Sequence, residues 1–415
     1  MARIAFAWEL GGEYGHVMSC AGLAGGLELH GHRIAFMFRE LRQLAVIPEA
    51  RNYDVYQAPR SAREGQDVQM PASYADILLG CGYSDPAELA ALVGGWRSLL
   101  ARWKPDLMVA DFSPTSLVAA RTLGIDCVTY GNGFFVPPRA SPLPAFRVEA
   151  PPDLAHLARS DALALASVNA ALGEYGTPSL ERRSDLFDTR EDFLCTFPEL
   201  DHYGNRETSG YWGPRVRFDR GTDIDWPHGD GKRIFVYVKT DLPHLDALID
   251  VLRASPHRIV AFIPGLDEGR RARLAGRKRV IADRPVKLDR FLRSCDLIVC
   301  HAGEVATGAL MYGVPGLLFP AHYEQYLTAR RLQQVGAAGW IPPAATPAEV
   351  ALGFEQLTGD TRYTAAARAF AKRYAAFSPS EQRRRIVARI EELLGERSAI
   401  LSPAQPRQER NDEPR

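Results

Sequence analysis

The sequence predicts an α/β protein in which two doubly wound parallel-sheet domains face a cleft. Short apolar runs alternate with amphipathic helical stretches, the alternation stops at a Gly- and Pro-rich segment over residues 211–231, and it restarts beyond. The length of 415 residues fits two or three domains at about 150 residues each. We therefore expect one parallel sheet in each half of the chain.

The first domain is predicted over residues 1–212 because β-α-β units recur along it. Gly31 and Gly124 are typical helix C-caps, and Asp85-Pro86 is a typical helix start. The predicted elements are the strand Ile4–Ala7, the helix Val17–His30, the strand Ile34–Phe38, a helix after Asp85, the strand Leu107–Ala110, the helix Pro114–Leu123 and the strand Ile125–Thr129.

A linker is predicted over 213–231 and a second domain over 232–378, followed by a helix over 379–398 and a disordered tail over 399–415. The predicted elements of this half are the strands Ile234–Val238, Arg258–Ile263, Leu297–Cys300 and Gly316–Phe319, and the helices Leu242–Leu252, Leu288–Cys295, one ending at Gly313, Glu324–Val335 and Ser380–Leu394.

The composition excludes several classes of partner. With 50 Lys+Arg against 50 Asp+Glu, the chain has no global positive field for nucleic acid or an anionic membrane. No apolar run approaches the ~18 residues of a membrane span. The six cysteines form no C-x-x-C pair, and the first residues lack the layout of a signal peptide. We expect a cytoplasmic, reduced protein with no integral membrane segment.

Loops that follow parallel strands carry the candidate chemistry, because strand ends of Rossmann-like sheets border ligand clefts. His16 follows a Gly-rich loop, where it fits either a general base or an ordinary helix-entry turn. Asp111 ends a predicted strand and would orient that histidine. The alternative for its surroundings is helix capping by Ser113-Pro114.

A second group of polar residues lies in the C-terminal half. The segment from His301 to Gly308 leads from a strand into a helix whose N-terminus suits a diphosphate. Glu324 and Gln325 are suited to hydrogen bonds with vicinal hydroxyls, although an acidic first helical turn would look the same.

The joint order of these motifs resembles that of the GT-B-fold, nucleotide-sugar-dependent glycosyltransferases of family 1, which include bacterial macrolide and plant flavonoid enzymes. The resemblance extends to about residue 398. It rests on Gly15-His16 with Gly31-His32, on the linker motif Gly213-Pro214, and on His301-Ala302-Gly303, Thr307, Gly313-Val314-Pro315, Pro320, Glu324-Gln325 and Ala329.

The resemblance implies a GT-B fold with an acceptor-binding first domain, a donor-binding second domain and a C-terminal helix packed back on the first. It also implies metal-independent, inverting sugar transfer, with a nucleotide sugar as co-substrate and no further cofactor. By position, His16 matches the family's base and Asp111 its support. His301, Gly303 and Thr307 fall at the donor phosphates, and Glu324 and Gln325 at the sugar hydroxyls.

The chain departs from the family pattern in four places. The phosphate loop is one residue shorter and carries Glu304, an unfavourable charge beside a diphosphate unless it points away. Lys239 fits a compensating cation or a solvated loop residue. Arg284 is the only planar group near the position where plant members have a base-stacking Trp, and Ser19 replaces a frequent proline, a change to which we assign little chemical meaning.

The acceptor is predicted to contact Phe134 and Phe135, in an apolar stretch over 132–180. That stretch fits a pocket or lid for a lipid-like, polyketide or aromatic acceptor, or an ordinary packed helical excursion. Two other functions stay open: a nucleotide-sugar hydrolase or epimerase of the same fold, and a non-catalytic partner or activator protein. The sequence leaves the acceptor, the donor base and sugar, and the oligomeric state undecided.

Overall fold

Two parallel six-stranded sheets form the frame of the protein, which is described here from a computed structural model covering residues 1–12, 14–61, 70–146, 151–206, 210–218 and 220–401. The first sheet contains β1 (Arg3–Trp8), β2 (Arg33–Phe38), β3 (Asp54–Gln57), β4 (Leu107–Asp111), β5 (Asp126–Gly131) and β6 (Glu191–Leu194). The second contains β7 (Arg233–Tyr237), β8 (Arg258–Phe262), β9 (Arg279–Ala282), β10 (Leu297–Cys300), β11 (Gly316–Leu318) and β12 (Ala338–Trp340).

Helices cover both sheets. Those of the first half are α1 (Tyr14–Leu29), α2 (Tyr74–Leu78), α3 (Pro86–Trp103), α4 (Pro114–Leu123) and α5 (Leu154–Gly173). The second half contributes α6 (Leu245–Ala254), α7 (Glu268–Leu274), α8 (Leu288–Leu292), α9 (Glu304–Met311), α10 (Tyr323–Gln334), α11 (Pro347–Gly359), α12 (Thr361–Arg373) and α13 (Pro379–Leu401). Among the described helices, none combines the length and hydropathy needed to cross a bilayer.

Both sheets have the same doubly wound order. The first runs β3-β2-β1-β4-β5-β6 and the second β12-β11-β10-β7-β8-β9, and all the paired strands are parallel. The order in which strands are added to the sheet reverses between β1 and β4 and again between β7 and β10. A crevice opens at each of these switch points. The predicted fold class, two Rossmann-like domains, is therefore confirmed.

Several element boundaries differ from the prediction by a few residues, among them the start of α6 and the end of α13. Helix α6 begins at Leu245 rather than Leu242, because Leu242 precedes Pro243 and that position disfavours helical backbone. Helix α13 extends to Leu401, three residues beyond the predicted helix end at 398, and positions 402–415 of the predicted tail lie outside the described residues. The predicted domain limits stay predictions.

The end of the chain packs into the first half. Ile386, Ile390 and Leu393 of α13 are buried together with Val17 and Leu27 of α1. Gly26 permits this approach, because a Cβ atom there would lie 2.8 Å from Val387 Cγ2. The apolar face of α13 thus completes the core beneath the helix that carries His16.

Replacing Ile390 with Ala should lower the free energy of unfolding by about 2–5 kcal/mol, because a fully buried side chain would leave a cavity. Urea unfolding measures the change. Glu392→Ala on the exposed side of the same helix is the control and should shift it by less than about 1 kcal/mol. Equal effects of the two substitutions would contradict the packing of α13.

A buried carboxylate caps the helix that follows Asp111. Glu9 Oε2 accepts hydrogen bonds from the Thr115 backbone N–H at 2.9 Å and from Ser113 Oγ at 3.3 Å, and the Thr115 hydroxyl donates to Oε1. Ser113 occupies the N-cap position and Pro114 begins the helix, as the capping alternative predicted, but among the described residues the Ser113 side chain makes no capping bond. Burial raises the pKa of Glu9 to about 7, although these hydrogen bonds oppose the increase.

The raised pKa of Glu9 predicts that stability falls as the pH rises. Between the ordinary value of 4.5 and about 7, the unfolded chain loses this proton while the folded protein keeps it. Glu9→Gln should remove that loss, so its free energy of unfolding relative to wild type should improve by about 3 kcal/mol from pH 5 to pH 8. Urea unfolding at both pH values, with exposed Glu268→Gln as control, measures this; parallel curves for wild type and Glu9→Gln would contradict it.

Candidate functional site

The carboxyl ends of both sheets face one another across a cleft of about 1860 Å³. Asp111 lies behind its wall and is completely buried, whereas Arg284 is exposed and is not among the lining residues. The other predicted site residues line the cleft: His16, Phe134, Phe135, Lys239, His301, Gly303, Thr307, Glu324 and Gln325.

His16 and Asp111 meet at the switch point of the first sheet. Strand β4 pairs with β1 so that Asp111 lies beside Trp8, and His16 lies in the first turn of α1, which follows the loop after β1. His16 Nδ1 lies 3.0 Å from Asp111 Oδ2, and the imidazole stacks on Trp8 with 5.1 Å between ring centroids. Nε2 lies beside Gly11, where a Cβ atom would approach it to 3.3 Å. One ring nitrogen therefore faces the carboxylate, and the other lies at the Gly-rich loop that borders the cleft.

Asp111 stays ionised because of its partners. Burial raises its pKa, but the attraction of Arg215 and then of His16 outweighs burial and holds the pKa below its ordinary value. Arg215 Nη1 lies 2.8 Å from Asp111 Oδ2, the same oxygen that faces His16. A buried carboxylate that keeps its charge can orient an imidazole and stabilise its protonated form.

Arg215 is a site residue that the sequence reasoning missed. It lies one position beyond Gly213-Pro214 in the linker, is only 7% exposed, and its guanidinium lies 5.0 Å from the Tyr130 ring centroid. The position just after that motif was the available signal. The contacts of Arg215 with Asp111 and Glu304 depend on the path of the linker, which local sequence patterns do not reveal.

Glu304 faces the first half of the chain. Its Oε1 accepts a hydrogen bond from Ser19 Oγ at 3.1 Å and lies 3.4 Å from Arg215 Nε. Ser19 thus has a polar contact, which corrects the prediction that its replacement of proline has little chemical meaning. Burial raises the pKa of Glu304 to about 7, while Arg215 and Ser19 oppose the increase.

His301 ties together the loops at the second switch point. Its Nε2 accepts a hydrogen bond from the Lys239 backbone N–H at 3.0 Å, and its Nδ1 donates to the Phe319 carbonyl at 2.7 Å. This pattern requires the neutral ring protonated on Nδ1. The imidazole therefore shapes the loop that begins α9, whatever it contacts in a ligand.

The N-terminus of α9 opens on the cleft. Gly303 occupies the N-cap position, where no side chain of the described residues makes a capping bond, and a Cβ atom there would meet open space. Thr307 lies one turn further along. Gly308 is required on the opposite side, because a Cβ atom there would come within 1.9 Å of Phe218 Cζ. The linker, through Phe218, therefore packs directly against α9.

Glu324 and Gln325 have different surroundings. Glu324 Oε1 accepts a hydrogen bond from Asn132 Nδ2 at 2.9 Å and lies 3.8 Å from His202 Nε2. Burial, and then Arg331 and Arg206, lower the pKa of His202 to about 3, so this imidazole is neutral. Gln325 is buried, and its Oε1 accepts from the Ala321 backbone N–H at 2.9 Å. Glu324 is thus held toward the cleft, while Gln325 also stabilises its own loop.

Aromatic rings form an apolar wall beside His16. Phe135 lies 4.8 Å from the His16 ring and 4.8 Å from Phe112, and Phe134 lies 5.8 Å from Phe112 and 5.0 Å from Phe146. Phe112 has a φ of 48°, a left-handed backbone that a bulky residue adopts only when its surroundings enforce it. The wall is therefore fixed by packing before any ligand arrives.

Helix α5, which lies within the predicted acceptor stretch, is an ordinary packed helix. Ala164, Val168 and Leu172 of α5 are buried in one core with Trp96 and Leu100 of α3. The two alternatives for residues 132–180 therefore apply to different parts of the stretch. Phe134 and Phe135 line the cleft, whereas α5 is a packed helical excursion.

Comparisons with known proteins agree with this geometry. Residues 246–393 match the family described as erythromycin biosynthesis protein CIII-like, C-terminal domain. No curated protein matches the chain. Solved structures match over almost its whole length, although their sequence identities are low.

Three of these structures illustrate the similarity. The spinosyn rhamnosyltransferase SpnG, complexed with spinosyn aglycone, is 18% identical with a TM-score of 0.63, and the match covers 93% of this chain and 100% of SpnG. The glycosyltransferase VinC, in complex with DTDP, is 17% identical with a TM-score of 0.65, over 94% and 100% of the two chains. SsfS6 of Streptomyces sp. SF2575, complexed with thymidine diphosphate, is 21% identical with a TM-score of 0.60, over 94% and 100%. These findings agree with the resemblance predicted from the motifs: residues 246–393 are similar to the erythromycin biosynthesis protein CIII-like family, and the solved glycosyltransferase structures share the two-domain fold of the chain.

Proposed function

We propose that the protein transfers a sugar from a nucleoside-diphosphate sugar to a hydroxyl group of a ring-rich, apolar small molecule. The transfer inverts the anomeric carbon and uses no metal ion. One observation carries the proposal: the His16–Asp111 pair lies at one switch point, and across the cleft the N-terminus of α9 lies at the other. An acceptor on the first sheet and a donor on the second would meet between them.

The base in this mechanism is His16. Asp111 faces Nδ1, so Nε2 accepts the proton as the acceptor oxygen attacks the anomeric carbon. The bond from that carbon to the diphosphate oxygen breaks on the opposite face, which inverts the configuration. The Asp111 carboxylate stabilises the imidazolium that forms, and the proton then passes to solvent.

The leaving diphosphate is assigned to the second half of the chain. Exposed backbone N–H groups and the helix dipole at the start of α9 favour an anion there, with Gly303 and Thr307 at the helix start. Lys239 also lines the cleft and adds a positive charge. Glu324 accepts hydrogen bonds from sugar hydroxyls beside Asn132. Because VinC and SsfS6 were solved with thymidine diphosphate, dTDP is the first nucleotide to test, with UDP and GDP beside it.

The acceptor is assigned to the aromatic wall. Phe112, Phe134 and Phe135 surround His16 with apolar faces on which fused or conjugated rings stack. Arg284 is not given a role, because it is exposed and lies outside the lining residues.

His16→Ala should reduce transfer by about 10²–10⁴-fold, because the acceptor hydroxyl loses its general base. Binding of dTDP should change by less than about twofold, since the donor site lies on the other side of the cleft. Product formation by mass spectrometry and calorimetry of dTDP measure the two effects, with the exposed His30→Ala as control. Normal turnover by His16→Ala would exclude this mechanism.

The same assays separate the alternative functions. Consumption of the nucleotide sugar without any acceptor would indicate the hydrolase or epimerase. A folded protein that binds none of dTDP, UDP or GDP would indicate the non-catalytic partner protein.

Glu324→Gln should weaken binding of the nucleotide sugar by about tenfold or more, because a charged hydrogen-bond acceptor for the sugar is lost. Affinity for the free nucleoside diphosphate should stay within about twofold, since that ligand has no sugar beyond the diphosphate. Calorimetry with both ligands measures the ratio, and exposed Glu355→Gln is the control. An equal loss for both ligands would contradict the sugar-binding role of Glu324.

A further inference from the structure

Arg215 and Glu304, which take no part in the proposed reaction, belong to a series of ionic contacts that ends at His16. His16 Nδ1 and Arg215 Nη1 lie 3.0 Å and 2.8 Å from the same oxygen, Oδ2 of Asp111. The other oxygen of this fully buried carboxylate, Oδ1, has no hydrogen-bond partner among the described residues. The imidazole and the guanidinium therefore compete for one oxygen atom.

Arg215 in turn divides its charge between two carboxylates. Nη1 faces Asp111 and also donates to the Tyr130 carbonyl at 3.2 Å, while Nε lies 3.4 Å from Glu304 Oε1. When Glu304 is ionised, the three side chains of Asp111, Arg215 and Glu304 carry one net negative charge, and when it is neutral they carry none. The negative state stabilises a protonated His16 more strongly.

This series of ionic contacts connects the two halves of the chain. His16 and Asp111 belong to the first sheet, Arg215 to the linker, and Glu304 is the first residue of α9. The Glu304 carboxyl carbon lies 3.6 Å from the Cβ position of Gly15, next to the base itself. The Glu304 side chain is 35% exposed and lines the cleft at the start of α9.

We propose that Arg215 and Glu304 are positioning residues that set the basicity of His16 through Asp111, so that a residue of the second half of the chain influences the base in the first. The inference rests on the proposed function only in taking His16 as the base. With Glu304 in place, Arg215 is partly neutralised and Asp111 supports the imidazolium. Without the Glu304 charge, Arg215 draws on Asp111 alone and that support weakens.

Other ionisable groups near the pair do not replace this effect. Cys20 lies 3.6 Å from Asp111 Oδ2, but burial and then Asp111 raise the pKa of its thiol well above the ordinary value. Burial likewise raises the pKa of Tyr130 well above its usual range. Glu9 is committed to the N-terminus of α4, and Glu324 contacts Asn132. Among these neighbours in the described structure, Glu304 meets Arg215 directly, and because burial raises its pKa to about 7, its charge changes near neutral pH.

Opposite charge changes give the test. Glu304→Gln keeps the shape and removes the negative charge, so the acid limb of the pH profile of kcat/KM should move to lower pH by about half to one unit. Arg215→Met removes the positive charge and should move the limb to higher pH by a similar amount. Arg215→Lys keeps the charge and should restore the wild-type position, even where kcat stays reduced. Glu268→Gln is the exposed control and should move nothing.

A readout without turnover keeps this inference separate from the proposed function. The pH midpoint of the His16 ring-proton signal, followed by NMR with the same variants, should move in the same two directions. Calorimetry of dTDP and circular dichroism establish that each variant is folded. Shifts of the same sign in Glu304→Gln and Arg215→Met, or an unchanged midpoint in both folded variants, would overturn the inference. If the NMR shifts appear but His16→Ala still transfers sugar normally, the proposed base is wrong and the charge coupling stands.

Discussion

The buried negative charge of Asp111 is the constraint on which the rest of the site depends. An ionised carboxylate at the end of a central strand is expensive to bury unless cations and hydrogen-bond donors surround it. That need accounts for Arg215, which brings the linker beneath the first switch point, and for the orientation of His16. Through Arg215 the same charge extends to Glu304, so one desolvated group organises a loop, a linker and a helix from the opposite half.

The two sheets have the same strand order and therefore the same kind of switch point. In each sheet the strand order reverses between two central strands, and a histidine lies just beyond one of them, His16 in the first turn of α1 and His301 directly after β10. In the first sheet His16 meets a carboxylate, and in the second His301 meets a backbone N–H and a carbonyl. The first imidazole therefore pairs with a charged side chain, while the hydrogen bonds of the second require a neutral ring. Repetition of the fold thus yields two histidines with different chemistry.

The sequence was sufficient for features set by local patterns. Alternating apolar runs predicted the strands around both switch points, and strand ends brought His16 and Asp111 together because parallel neighbours end at one edge. Contacts between distant segments were out of reach. Ser19 and Glu304 are 285 positions apart, and Asn132 and Glu324 are 192 apart. Whether Arg284 reached the cleft was likewise undecidable, since it depended on how its loop turned relative to the sheet.

The return of α13 to the first half means that this half is assembled from both ends of the chain. The two crossings lie side by side, since Gly213 leaves room for Phe377 and Gln382 donates a hydrogen bond to the Gly213 carbonyl. In topological terms the second sheet is an insertion within the first domain. A hybrid with another member of this fold should therefore exchange an internal segment between these crossings. A single junction in the linker would leave α1 without the helix that completes its core.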